Sequence, residues 1–179
     1  MKKVVIIFGL ISGILITGMA LYVANQCYNN PGEFKGNDVL GYAALIAAFS
    51  FIFVGIKSYR DKRSNGIISF GKAFKVGLLI TLVASTIYVV AWLFDYYLFI
   101  PDFIERYTDH CIRITTAEGA SQLEINDKVK EMANLKEMYK NPLFVVLITF
   151  VEVFPIGAIV SLIAALILKR KNKLATVTP

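Results

Sequence analysis

Glu152 is the one charged residue inside any long apolar run of this chain, and Pro155 follows it three positions later. It stands about 10 residues into its run, which on a helical rise puts it roughly 14 Å deep. A carboxyl at that depth is costly, and where one occurs it commonly serves a proton relay or a cation. Pro155 removes the amide that would bond the carbonyl of Val151, leaving polar backbone beside the acid. Counted to the same depth along the other runs, Thr17, Ser50, Ser85 and Tyr88 reach its level. These groups could complete a functional site with Glu152 and Pro155, or hydrogen-bond a protonated carboxyl and hold it as interhelical glue. With no second charge inside a run to complete a relay, glue is the favoured reading.

Other reactive side chains are few. Asp95 lies at the edge of an apolar run beside Tyr96 and Tyr97 and reads as a solvated carboxylate. The two cysteines, Cys27 and Cys111, could form one disulfide in an oxidising compartment or remain as two thiols. Without a C-x-x-C, a thiol oxidoreductase lacks its reactive pair. His110, the only histidine, has one soft neighbour in Cys111, too few ligands for zinc. No phosphate-binding glycine loop, nucleophile elbow or H-E-x-x-H is present. The expectation is a protein that is not an enzyme and uses no metal or cofactor.

The elements that hold these residues follow from composition. Of 179 residues, 56% are apolar, too many for a soluble domain of this size. They gather in four runs, 4–24, 39–56, 76–94 and 143–168, and 31 of the 32 charges lie outside them. Each run is long enough to cross a bilayer as a helix, a structure that satisfies its own backbone in lipid. Such segregation excludes disorder, a nucleic-acid module and an ordinary globular enzyme.

Orientation follows from Lys and Arg. The start of the chain, the 57–75 connection and the tail carry 12 basic residues to one acidic, against 7 to 11 in segments 25–38 and 95–142. The positive-inside rule puts both termini in the cytoplasm. Lys57, Arg60, Lys62, Arg63, Lys72 and Lys75 are then expected at lipid headgroups, so the net charge of +6 reflects topology and not nucleic acid. Lys2 and Lys3 before an apolar run also suit a signal peptide, but the run is longer than a usual h-region and no A-x-A closes it. A retained span is expected.

Small residues recur at helical spacing in every run: Gly9, Gly13 and Thr17; Ala43, Ala44, Ala47, Ala48 and Gly55; Gly77, Thr81 and Ser85; Gly157, Ser161 and Ala165. Gly9-xxx-Gly13 could form a dimer face, but recurrence in all four favours close packing within one bundle. Residues 95–142 are too long for a plain turn. Trp92, Tyr96 and Tyr97 suit an interfacial anchor. Pro101 breaks the helix, Asp102 can cap a short helix with Phe103, Tyr107 and Ile114 on one face, and Gly119-Ala120 breaks it again. Ser121-Gln122-Leu123-Glu124 has capping-box spacing. Ile125, Val129, Met132 and Tyr139 then mark a stripe to Lys140. The expectation is two outer helices over the bundle mouth, a cap or a partner-docking surface.

Three stretches carry a resemblance. They are Ile68-Ser69-Phe70-Gly71-Lys72-Ala73-Phe74-Lys75-Val76-Gly77; Pro101-Asp102-Phe103-Ile104 with Tyr107; and Met138-Tyr139-Lys140-Asn141-Pro142-Leu143, on through Glu152, Pro155 and Gly157 to Lys169-Arg170-Lys171. In order and spacing the chain resembles a bacterial membrane family, domain-of-unknown-function family 4199 (DUF4199). The resemblance implies a multi-pass inner-membrane protein and supplies no activity, ligand or catalytic residue.

The sequence thus predicts an all-α membrane protein of four transmembrane helices, with an extracytoplasmic helical hairpin at 95–142 between the third and fourth. Membrane lipids are its expected partners, with self-association or a membrane-protein partner left open. The leading functional expectation is a non-enzymatic accessory protein of the bacterial inner membrane. A small transporter or channel component using Glu152 is the alternative.

Overall fold

The computed structural model describes residues 1–29 and 38–170, apart from the side chains of Cys27, Asn29, Asp38, Val39, Leu40 and Ala44. Among the described residues six helices follow in order: α1 (Lys2–Asn29), α2 (Asp38–Arg63), α3 (Phe70–Leu98), α4 (Phe103–Ala117), α5 (Gln122–Tyr139) and α6 (Pro142–Leu168). α1, α2, α3 and α6 are long and apolar enough to cross a membrane. Each outruns its apolar run, because the i to i−4 hydrogen bonds continue through the polar residues that flank it.

The four long helices form one bundle in the order α1–α2–α6–α3, with α2 also reaching α3 across it. Glycines set the seams. A methyl at Gly9 would stand 2.6 Å from Val83, and one at Gly13 would stand 2.9 Å from Ile87, so α1 runs parallel to α3. Gly77 meets Ser161 while Gly157 meets Thr81 and Phe49, so α6 runs antiparallel to it. Gly9-xxx-Gly13 is therefore an internal seam. Phe49, Ile52, Ile56, Val76 and Ile80 fill the centre. In its most apolar stretch α6 is only 22% buried within the chain and α3 44%, leaving most of their apolar surface for a surrounding nonpolar phase.

The basic end of the bundle is tied tightly. Asn65 and Gly66, both with positive φ, reverse the chain between α2 and α3. Ser69 caps α3 by accepting from the Lys72 amide at 3.4 Å. Ile68 and Arg170 exchange backbone hydrogen bonds of 3.2 and 2.9 Å, joining this turn to the end of α6.

At the other end α4 and α5 pack on each other around the turn at Gly119, whose φ is 78°. Ser121 and Glu124 form the expected capping box. Asp102 departs from expectation. It occupies the N-cap position of α4 but makes no capping bond, because its carboxylate is taken by Tyr28 and Arg106.

Candidate functional site

Glu152 lies on the outward side of α6. Val153 beside it is buried at 2% exposure, whereas Val151 is 61% exposed, and Glu152 itself is exposed with them. Among the described residues its carboxylate accepts no hydrogen bond and meets no cation. On the helix Glu152 stands at the edge of the inward face, about 20° from Val145 and about 100° from Val153, and its side chain is exposed there.

Among the described residues, none of the hydroxyls expected at its level bonds it. Ser50 donates to its own helix, to the Ala47 carbonyl at 2.6 Å. Thr17 and Ser85 are enclosed in the bundle, each hydroxyl without a hydrogen-bond partner among the described residues. Ser85 is wholly buried on α3, and Ser161 bonds Thr81 at 3.1 Å. Pro155 is exposed on the same side as Glu152. Only Tyr88 of the expected group feels the Glu152 charge.

Two phenols that the sequence placed merely on apolar stripes join it. Burial raises the Tyr139 phenol, with the charge of Glu152 adding to the effect, to about 12. Burial foremost, with Cys111 and Glu152 as further causes, also raises Tyr107. These rings belong to aromatic chains. Tyr139 lies edge-on to Tyr96 at 5.8 Å and to Phe144 at 5.9 Å, while Tyr107 stacks on Phe103, which meets Trp92 edge-on at 5.1 Å. Tyr88 of α3, Tyr107 of α4 and Tyr139 of α5 thus share the field of Glu152, and of the four groups the exposed carboxylate is the one able to offer negative charge to a group outside the chain.

A second polar group sits at the mouth. Tyr28 donates to Asp102 at 2.7 Å, Arg106 Nε donates to the other carboxylate oxygen at 2.7 Å, and Arg106 also donates to the Tyr28 carbonyl at 3.0 Å. The guanidinium carbon stands 4.1 Å from the centre of the Tyr28 ring. The bond from Tyr28 and the Arg106 charge hold the Asp102 carboxyl below its usual range, and the same bond raises the Tyr28 phenol. Tyr28 and Asp102 are 74 positions apart, so no local spacing could have paired them.

Asp95 lines a cleft of about 350 Å³ between α1 and the end of α3. Cys111 is half-buried and forms no disulfide among the described residues. Its expected partner, the Cys27 side chain, lies outside them. Among the described residues no three His, Cys, Asp or Glu side chains converge as a metal site.

The basic residues divide. Lys57, Lys62, Arg63, Lys72 and Lys75 are exposed, Lys72 with its ammonium 5.7 Å from the Tyr59 ring centre. Arg60 differs from the rest of the expected headgroup set. It is 8% exposed, paired with Asp61 at 2.7 Å and directed at the Leu168 carbonyl at 3.5 Å. A guanidinium offers several donors, and here they serve the last turn of α6.

A family model described as Protein of unknown function (DUF4199) matches residues 5–170. No curated protein and no solved structure matches the chain.

Proposed function

Since the chain belongs to the DUF4199 family, a membership that brings no activity with it, we propose from the site itself that this is a multi-pass bacterial inner-membrane protein that binds another membrane component and catalyses no reaction. One observation carries the reading. Glu152 faces out of the bundle and accepts no hydrogen bond from any described residue. An intramembrane carboxylate is costly until it is paired, so its partner is sought outside the chain. In this reading both termini are cytoplasmic, following the positive-inside count, and α4 and α5 form an extracytoplasmic hairpin. The second component is another membrane protein or a second copy; lipids contact the exposed lysines and Arg63, and nucleic acid has no part.

The test is site-specific photocrosslinking in native membranes from Val151, on the Glu152 side, and from Ile14 on α1, which is 63% exposed. A discrete adduct from Val151 that disappears in Glu152→Leu supports the reading. Equal adducts from both positions, or an adduct indifferent to Glu152, sink it.

The phenols around Glu152 favour one other reading, a transporter component in which Tyr88 and Tyr139 accompany the carboxyl along a proton or cation route. Proton flux in liposomes that is unchanged in Glu152→Gln removes it.

A further inference from the structure

The cleft at the outer mouth is lined by Leu21, Asn25 and Tyr28 of α1 and by Asp95, Phe99 and Ile100 at the end of α3. At about 350 Å³ it has the size of a small-ligand site. Its electrostatics are set by three features. Asp95 is half-buried, and among the described residues its carboxylate accepts no hydrogen bond and has no ion-pair partner. α1 and α3 run parallel, so both C-terminal poles, each partially negative, arrive at this end. Neither helix has a basic residue in its last turn to offset its pole. Arg106 does approach, but its charge is matched by Asp102 at 2.7 Å, and Lys136 is engaged by Glu105 at 3.2 Å. Among the described residues that line the cleft, Asp95 is the one charged group.

We propose that this cleft binds a small organic ammonium ion, with Asp95 pairing the ammonium group. A single carboxylate is too sparse a ligand set for a divalent metal. The walls suit an organic cation better: Leu21 and Ile100 offer aliphatic contact, and Tyr28 and Phe99 offer aromatic rings. The amine belongs either to a free solute or to a phospholipid headgroup, because the lining residues Asn25, Tyr28, Asp95, Phe99 and Ile100 stand just past the apolar runs of α1 and α3. This inference is independent of any role for Glu152.

The chain carries its own reporter in Trp92, its single tryptophan, one helical turn before Asp95. The full chain in phosphatidylglycerol nanodiscs would be titrated with ethanolamine while Trp92 fluorescence is read. A second series would replace part of the lipid with phosphatidylethanolamine. A saturable response, weakened about tenfold or more in Asp95→Asn, supports the site; ethanolamine alone identifies a free amine, and a response to the lipid alone identifies a headgroup. Leu21→Phe narrows the cleft without touching charge and must weaken the same response, which keeps the test valid if Asp95→Asn folds poorly. No saturation with either amine, or equal saturation in both variants, overturns the proposal.

Discussion

The phenol of Tyr28 donates a 2.7 Å hydrogen bond to Asp102, fastening the end of α1 to the start of α4 across the mouth of the bundle. Because Arg106 binds the other oxygen of the same carboxylate, the clasp depends on Asp102 being ionised. Its folded pKa lies below the ordinary value, so the stabilisation is present above the ordinary carboxylate range and is lost as pH falls through the lowered value. Hydrogen exchange in the first turn of α4 is expected to rise below about pH 4. Asp102→Asn should show that faster exchange already at pH 7, and an unchanged rate would disprove the role of the clasp.

Close helix approach at Gly157 is expected to be indispensable. A side chain there would collide with the Thr81 methyl and stand 2.9 Å from the Phe49 ring. Gly157→Leu should lower stability in detergent by about 1–3 kcal/mol or more. Gly18, with nothing within 4 Å, accepts Ala without loss. Thermal unfolding of the two variants checks the contrast.

Arg60 should behave as a structural residue. Replacing it with Met leaves the Leu168 carbonyl and Asp61 without their donor and should cost roughly 1–3 kcal/mol. Binding of Lys62→Ala to anionic liposomes would fall while its stability holds. For Arg60→Met the order reverses, and equal effects of the two on lipid binding would contradict it.

Glu152 on the outward face gives a definite expectation for the isolated chain. With no bond within the bundle to lose, Glu152→Leu should be as stable as the parent in detergent or more so, by on the order of 1 kcal/mol. Glu152→Gln keeps a polar group and gains less. A marked loss in Glu152→Leu would point instead to interhelical glue.

The capping box at Ser121 offers a local test. Ser121→Ala removes both the oxygen that accepts from the Glu124 amide and the hydroxyl that donates to its carboxylate. About 1 kcal/mol of α5 stability should be lost, seen as faster exchange over residues 122–126 with α1 and α3 unaffected.

The sequence by itself determined what depends on near neighbours and on composition. Four helices had to form where apolar runs were long enough for the backbone to be satisfied without water. Ser121 and Glu124, three residues apart, could announce their own cap. Small residues recurring every four positions marked helix surfaces able to approach closely. Partner choice was another matter, because it depends on the rotation of each helix about its axis. That rotation put Gly9 and Gly13 against α3, left Glu152 exposed though its depth was readable, and left Thr17, Ser50 and Ser85 unbonded to it. Tertiary structure alone brought Asp102 to Tyr28 in place of its own helix end, and directed Arg60 at the end of α6. A charged or hydroxyl side chain goes to the best partner within reach, and reach is set by the packed bundle.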